Sequence, residues 1–569
     1  MFRYLWLLPL AFFALFYVYP MATIIGLSGG DGMLATLADS NTWRVVGFTF
    51  WQATLSTIAT LLVGLPGAYL VGRHRFRGKS LLRALTAVPF VMPTLVVAAG
   101  FNALIGERGW INLGLAVLNL PALTLSGLAA IVLAHVFYNT TIVIRLVGDY
   151  WSHLDPRLSQ AARTLGVSPL RAFATVTLPL LAPALFAAAL LVFIFDFTSF
   201  GVVLVLGGPR FATLEVEIYR QTFAFFNLPA AAALSLLQLA CTLALTILYT
   251  RFSASVTRAA TLRSTEFTQR PLTSLKQKTL AAIVIAGLFV LLLSPLTALT
   301  VRSIIKLEAD QGERGAFQTG LTLDYYHALF ENERGAAFFY TPISAVGNSA
   351  RYAVVTVALS LMLGLPTAWM LANPRPNDSP SPDGAVPSGG ATAVGGWSQL
   401  IEPFLMLPLG TSAVTLGLGF LIAFSRPPFN LRASPILIPL AHTLIAFPFV
   451  VRTLLPTWQS IRPQWRGAAA TLGASQAEVW RRIDLPLIGR AALVAAAFAF
   501  AISLGEFGAT ALLTRPEFPT VPLAIYSFIG KPGALNFGRA LALSVILMLT
   551  SGASILLIER ARLKGVAEF

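Results

Sequence analysis

Two acids and two histidines stand inside long apolar runs of this chain: Asp196, Glu506, His135 and His442. A carboxyl group is costly in hydrocarbon, so one that is kept there faces a cavity or a partner by default and is a functional candidate. An internal repeat, at an offset of 307 residues, relates the two acids. Asp196 corresponds to Ser503 and Glu506 to Ser199, three residues away, so the acids differ in register by about one helical turn. Phe195, Phe197, Phe200 and Phe507 are close by in the sequence. Carboxylates among aromatic faces suit an organic cation, through charge and cation–π attraction. The competing reading puts both acids near the outer ends of their runs, solvated or paired with a local arginine. His135 and His442 are equivalent at the same offset. They read either as helix-packing groups or as pathway positions. Arg145 and Arg452 fall at the cytoplasmic ends of the same runs, either as snorkelling side chains or as an inner gate.

Other chemistries find little support. Five histidines and one cysteine, Cys241 in an apolar run, show no metal-ligand spacing and no disulfide framework. Gly78-Lys79-Ser80 resembles the end of a phosphate-binding loop, but Arg73 holds the place of its first glycine and no strand precedes it. The chain is therefore expected to bind no ATP by that motif, no metal and no cofactor. An integral-membrane enzyme would need a catalytic cluster, and the histidines are few and scattered.

These residues must be positioned by elements that live in lipid. The 569 residues are 56% hydrophobic and only 11% charged, against about 25% charged in soluble domains. Mean hydropathy is +0.74. In hydrocarbon the backbone must satisfy its own hydrogen bonds, and continuous apolar runs of about 20 residues fit helices rather than alternating barrel strands. The net charge of +16 suits either nucleic acid or the basic bias of cytoplasmic loops. Placement favours the loops: Arg73, Arg75, Arg77, Lys79 and Arg83 cluster after the second run, and Arg251, Arg258, Arg263, Arg270, Lys276 and Lys278 surround the midpoint.

Apolar runs occur at about Tyr4–Leu27, Val45–Gly72, Leu81–Ile105, Thr124–Val147, Leu180–Leu206 and Leu228–Arg251. The second half has runs at about Thr279–Val301, Ala345–Ala372, Phe404–Phe424, Pro435–Leu455, Ile488–Leu513 and Leu535–Ile558. The first is too long for a signal-peptide core and reads as a retained helix. The expectation is an all-α polytopic membrane protein with about twelve transmembrane helices. With both termini cytoplasmic, the basic loops and the Arg560/Arg562/Lys564 tail fall inside, and the acidic 302–344 loop outside. Glu215 and Glu217, beside Arg210 and Arg220, read as a solvated outer loop.

The halves repeat. Leu61–Leu70 matches Leu361–Met370 at an offset of 300; Pro89, Gly100 and Phe101 match Pro408, Gly419 and Phe420 at 319. From Ala134/Ala441 through Tyr219/Tyr526 the offset is 307. Six spans per half keep the same orientation, so these are parallel repeats about an axis along the membrane normal. The expected division is 1–265 for the first repeat (core about 45–252), a basic linker over 266–278, and 279–569 for the second repeat (core about 345–558). The change of offset marks an insertion at Asn373–Trp397, rich in Pro, Gly and Ser, that reads as a disordered cytoplasmic loop.

Two polar islands punctuate the halves: Asp155–Pro179 and Arg462–Pro486. Asp155-Pro156 starts a helix, since the acid can cap it and proline suits its first position. Gly166 suits a left-handed stop, and Ser168-Pro169 starts a second short helix. In the other copy Ser475 and Glu478 have capping-box spacing. Each island is thus a helix–glycine–helix elbow. Ala161, Ala162 and Leu165, with Ala468, Ala469 and Leu472 in the other copy, leave a small smooth face that a groove on another protein could approach. The alternative is an amphipathic helix on lipid headgroups, which does not explain why Gly166/Gly473, Ser168/Ser475 and the following Leu-Pro recur together.

Gln160-Ala161-Ala162-x-x-x-Gly166, nine residues, then Val176-x-Leu178-Pro179, and Gly467-Ala468-Ala469-x-x-x-Gly473, nine residues, then Ile483-x-Leu485-Pro486, resemble the EAA loop of binding-protein-dependent ABC importer permeases. Gln160 and Gly467 stand where that family has glutamate, and Val176 replaces isoleucine. The resemblance implies the type I importer permease fold and coupling helices seated on two copies of a separate ATPase, which holds ATP and Mg. It also implies a periplasmic or lipid-anchored substrate-binding protein outside, and a bacterial inner membrane location among lipids, with no nucleic acid. Two fused cores look like the thiamine and ferric-iron permeases, and Ser199–Tyr219 is similar to the stretch after the fifth helix of the thiamine type, with Gly201 and Val202 departing from its Ala-Thr and one glycine fewer. The rival from another class is a secondary transporter of two six-helix halves, which needs no elbow in each half.

Overall fold

A computed structural model describes residues 7–29, 31–106, 109–123, 126–208, 210–258, 265–306, 320–331, 341–372, 404–425, 427, 429–432 and 434–561. The segment 373–397 and the Arg562/Lys564 end of the tail lie outside the described residues. Among the described residues the fold is helical apart from one pair of two-residue strands. The first half runs α1 (Leu7–Ser28), α2 (Ser40–Arg73), α3 (Lys79–Val91), α4 (Thr94–Ile105), α5 (Leu128–His153), α6 (Pro156–Thr164), α7 (Pro169–Phe197), α8 (Gly201–Leu206), α9 (Leu214–Phe223) and α10 (Leu228–Ser253). The second half runs α11 (Leu275–Arg302), α12 (Ser344–Ala372), α13 (Ala413–Ala423), α14 (Leu437–Ser460), α15 (Pro463–Thr471), α16 (Gln476–Gly505), α17 (Gly508–Leu513), α18 (Val521–Ile529) and α19 (Ala534–Ile558).

Ten of these helices, among the described residues, are long and apolar enough to cross a membrane: α1, α2, α5, α7, α10, α11, α12, α14, α16 and α19. The two other expected spans are interrupted, and at equivalent places. Leu81–Ile105 breaks at Met92 and Pro93, both extended with ψ of 134° and 138°. A residue before proline is pushed out of the helical region, and proline gives no N–H to the preceding turn. Its counterpart breaks at Thr411 and Ser412, where Ser412 Oγ accepts from Thr415 N at 3.0 Å and starts α13. Thr94 and Ala413, the first residues after each break, differ by the same 319 as Gly100 and Gly419.

Packing divides the chain differently from the sequence halves. One compact unit holds Ser28–Arg334 and Pro522–Met548; the other holds Met1–Leu27, Gly335–Val521 and Leu549–Glu568. Helix α1 therefore packs among second-half helices: the Phe13 ring lies 5.2 Å from that of Phe447, and Tyr17 OH lies 2.7 Å from Thr411 Oγ1. Likewise α11 packs among first-half helices, where Leu288 joins Ile144 and Val71 in one apolar cluster.

Inside each unit the same positions make the core. Ala68, Val143, Val147, Trp151, Leu181, Ala184, Ala188 and Val192 cluster in the first. Ala368, Val450, Leu454, Trp458, Ile488, Ala491, Ala495 and Ala499 cluster in the second, each the repeat partner of the residue before. Glycines let α2 and α12 approach this core closely. A Cβ on Gly72 would lie 2.8 Å from the Gly148 carbonyl oxygen, and one on Gly364 would lie 2.6 Å from Val450 Cγ1. Backbone cannot rotate away as a valine can. Gly72→Leu is therefore expected to lower stability by about 1–3 kcal/mol, read as a reduced unfolding midpoint in detergent, whereas an unchanged midpoint would remove the close-approach argument.

Candidate functional site

Both islands fold as elbows. In the first, α6 begins at Pro156 with Asp155 Oδ1 accepting from Arg157 N at 2.9 Å. It ends at Gly166, φ +87°, where Val167 N reaches back to Ala162 O at 3.2 Å. In the second, Gly473 has φ +83° and Ala474 N reaches Ala469 O at 3.0 Å. A positive φ is strained for any residue with a Cβ, and a glycine there closes the helix without cost. Ser168 Oγ accepts from Arg171 N at 3.4 Å; Ser475 Oγ accepts from Glu478 N at 3.3 Å, while Glu478 Oε2 accepts from Ser475 N at 3.0 Å. After each elbow comes a five-residue π-helical turn, Phe173–Thr177 and Trp480–Asp484. The tip of each elbow is an exposed apolar knob, Leu165 at 84% and Leu472 at 88% exposure, beside exposed Ala161 and Ala468 and half-buried Ala162 and Ala469. An exposed apolar side chain at the tip of a polar loop is the kind of group that a partner's pocket can bury.

The basic face is assembled around the first elbow. His74–Arg75 and Arg270–Pro271 form a short parallel strand pair, which brings the midpoint linker beside the loop after α2. Arg83 pairs with Asp149, Thr268 Oγ1 donates to the Ser152 carbonyl, and Arg73 donates to the Leu154 carbonyl at 3.0 Å. The two clusters read separately as cytoplasmic thus lie at one end of the molecule's first-half unit.

The buried acids pair with the histidines. In the first half His135 Nδ1 lies 2.9 Å from Ser56 Oγ and 3.4 Å from Asp196 Oδ1, and its Nε2 lies 2.9 Å from Ser199 Oγ. Asn139 Nδ2 donates to Asp196 Oδ1 at 2.7 Å, and Gln52 Nε2 donates to the Asp196 carbonyl at 2.8 Å. In the second half His442 Nδ1 lies 2.8 Å from Ser503 Oγ, and Nε2 lies 2.9 Å from Thr510 Oγ1 and 3.2 Å from Glu506 Oε2. Glu506 also accepts from Ala509 N at 2.8 Å and Thr510 N at 3.0 Å, at the start of α17. In both halves Nδ1 faces the position of residues 196/503 and Nε2 faces that of 199/506. The acid changes sides of the ring between the halves.

These clusters sit at the breaks between α7 and α8 and between α16 and α17. There the chain leaves its helix and the freed polar groups need partners. Both acids and both histidines are buried, as are Phe200 and Phe507. The acids are neither solvated nor paired with arginine: each is held inside its own half, tying three helices together. Next door, Leu214 N donates to Thr49 Oγ1 at 3.0 Å and Val521 N to Ser349 Oγ at 2.9 Å, a hydrogen bond conserved across the repeat.

Two groups differ from the expectation, and one pair was missed. Glu215 and Glu217 are buried on α9, not solvated, because α9 packs on α10: Gln238 Nε2 donates to Glu215, and Gln221 Nε2 to Glu217 at 2.8 Å. Arg145 is half-buried in a π-helical turn, Val143–Val147, whereas Arg452 is exposed on α14. The missed pair is Tyr219 on α9 and Tyr526 on α18, repeat partners that belong to the same compact unit. Burial, with Tyr526 beside it, pushes the Tyr219 hydroxyl up to about 12. Burial also raises Tyr526, partly offset by the Arg220 charge. The Tyr219 ring lies 5.5 Å from that of Phe200, next to the first break. Both tyrosines are half-exposed, so an aromatic surface with two protonated hydroxyls is presented there. Their equivalence was legible in the sequence; their proximity was not.

Known proteins match this sequence over most of its length. The family described as "Binding-protein-dependent transport system inner membrane component" matches residues 64–258, which contain the first elbow. The "Thiamine transport system permease protein ThiP" of Escherichia coli (strain K12) is 27% identical over 529 residues, covering 91% of this chain and 89% of the relative. That of Brucella abortus (strain 2308) is 28% identical over 549 residues, covering 95% and 92%. That of Haemophilus influenzae is 25% identical over 546 residues, covering 95% and 93%. A duplicated elbow, a helical polytopic fold and relatives matched over nine-tenths of the chain agree: residues 64–258 match the inner-membrane component of binding-protein-dependent transport systems, and the chain as a whole is similar to permeases of that kind.

Proposed function

We propose that this permease carries thiamine, or a closely similar small organic cation, into the cytoplasm. Full-length similarity to thiamine-system permeases carries the reading of the cargo, and the pair of exposed elbows carries the reading of the drive. Two copies of a separate ATPase, which hold the ATP and Mg, seat on Ala161–Gly166 and Ala468–Gly473. Their closure levers the two halves and exposes a central path alternately to each side. A periplasmic or lipid-anchored binding protein delivers cargo outside, and both termini lie in the cytoplasm, in keeping with the basic loops. The chain itself is a conduit, not a catalyst.

On this reading the cation passes Tyr219, Tyr526 and Phe200, whose faces attract positive charge. The acid–histidine clusters at Asp196/Ser199 and Ser503/Glu506, with Phe507, hold the helix breaks that frame the path. Arg145 and Arg452 mark its inner end.

Reconstitution with the ATPase and binding protein tests the assignment. ATP-dependent uptake of labelled thiamine is the expected result. Uptake that selects ferric iron instead would overturn the cargo, and uptake abolished by an uncoupler but indifferent to ATP would point to a secondary transporter. The double variant Tyr219→Ala/Tyr526→Ala is expected to raise the KM for thiamine about tenfold, as the loss of cation–π contacts of roughly 0.5–2 kcal/mol requires, while Tyr219→Phe/Tyr526→Phe stays near wild type. Equal KM values for all three proteins would remove the tyrosines from the path.

A further inference from the structure

A cavity of about 520 Å³ opens beside the first elbow, and transport as described makes no use of it. Its walls come from the last turns of α2, the π-helical turn that follows the elbow, and the first turns of α11. The lining is almost wholly apolar, including Leu62, Leu65, Leu185 and Val284. The volume is that of a ligand site, within the range of about 300–1,000 Å³. Leu62 and Leu280 are largely exposed, so the cavity is open toward the surface that apolar side chains of this chain share with lipid.

Two polar groups in the lining lack partners. Trp151 is 5% exposed and His74 7% exposed, and neither Trp151 Nε1 nor His74 Nδ1 has a hydrogen-bond partner among the described residues. Buried donors are ordinarily satisfied, so an indole N–H left open on the wall of an apolar cavity marks a place for an acceptor that enters from outside. The rings form a continuous patch: Tyr69 lies 5.3 Å from Trp151 and 5.2 Å from His74, and Phe173 lies 6.1 Å from Trp151.

The two segments that rim this patch carry basic residues and no acid of their own, with Asp149 paired to Arg83 beside them. His74 and Arg75 pair in register with Arg270 and Pro271. Arg75, Arg77, Arg270, Lys276 and Lys278 are exposed. Neither 73–83 nor 267–280 contains an acid. An apolar slot, an open indole donor at its polar end and a cationic rim are the three parts needed to hold an acyl chain, an ester or phosphate oxygen and an anionic headgroup.

We infer that this cavity is a binding site for an anionic phospholipid. The acyl chain fills the space between α2, α7 and α11, its ester or phosphate oxygen accepts from Trp151, and the headgroup rests on the Arg75/Arg270/Lys276/Lys278 rim. The leaflet is the cytoplasmic one, which rests on the reading that the elbows face the cytoplasm. The bound lipid braces the Phe173–Thr177 turn directly beneath the first elbow.

The test uses the full chain in nanodiscs of equal phosphatidylglycerol and phosphatidylcholine, with retained lipid counted by native mass spectrometry after mild delipidation. The expected result is about one phosphatidylglycerol retained in preference to phosphatidylcholine. Trp151→Phe, which keeps the ring, should lower retention about five- to tenfold, the worth of one hydrogen bond. Leu280→Trp, which fills the mouth from an exposed position, should abolish it, and Arg75→Gln/Lys276→Gln/Lys278→Gln should erase the preference for the anionic lipid. Retention of both lipids in equal measure by the wild type, or retention untouched by Trp151→Phe and Leu280→Trp in proteins of unchanged thermal stability, would overturn the site. Neither arm depends on transport, so a different cargo leaves this inference standing.

Discussion

A chain carrying Leu165→Glu and Leu472→Glu is expected to insert and fold as the wild type does, yet to lose at least a hundredfold in affinity for its ATPase subunits. The two leucines are 84% and 88% exposed, so no packing within the chain is forfeited when they change. If each knob is buried in a partner's pocket, its contribution is about 1.5–3 kcal/mol, and two of them together account for a hundredfold or more. Gly473→Asp makes a useful contrast. Nothing lies within 4 Å of a Cβ at that position, and its only penalty is the φ of +83°. That strain costs about 1–2 kcal/mol and tilts the elbow without removing its contact face, so a weaker loss of ATPase association is expected, with insertion intact. Pull-down of the ATPase and stimulation of its hydrolysis rate are the readouts. Undiminished capture by the double glutamate chain would show that the elbows touch lipid and not a motor.

The second large effect concerns the acid–histidine clusters. Asp196→Ser is expected to destabilise the first half by about 2–3 kcal/mol. Asn139 Nδ2 loses its acceptor in a site without access to water, and an unsatisfied buried donor costs about that much. The second half holds the alternative solution, with Ser503 at the position of Asp196, Glu506 at that of Ser199, Thr510 at that of Val203 and Ala446 at that of Asn139. The combined variant Asn139→Ala/Asp196→Ser/Ser199→Glu/Val203→Thr writes that arrangement onto the first half. The acid then lies on the Nε2 side of His135, with the amides of residues 202 and 203 placed as those of Ala509 and Thr510 are around Glu506. Recovery to within about 1 kcal/mol of wild type is expected, followed by the unfolding midpoint in detergent. Four changes that do no better than the single one would mean that the two histidines are not interchangeable anchors. Effects of neighbours this close are not additive, and the recovery itself measures their coupling.

What the order of amino acids determined by itself was whatever depends on near neighbours. Long apolar runs and few charges made the chain a membrane protein, since hydrocarbon admits only backbone that pairs with itself. Each elbow was readable to the residue, because Asp155, Pro156, Gly166 and Ser168 act on amides only a few positions away. The repeat was readable because it is a property of the string. Tertiary structure decided the rest, by contacts that no local window spans. A hydropathy average passed over Met92-Pro93 and over Thr411-Ser412, and only the folded chain shows the breaks there. Glu506 finds His442 across 64 residues, and α1 finds second-half helices across nearly 400. Tyr219 and Tyr526, 307 positions apart, become neighbours in one compact unit. Side chains buried in lipid or in one another gain their partners from whichever helices pack beside them, and composition along one helix carries no record of which neighbour arrives.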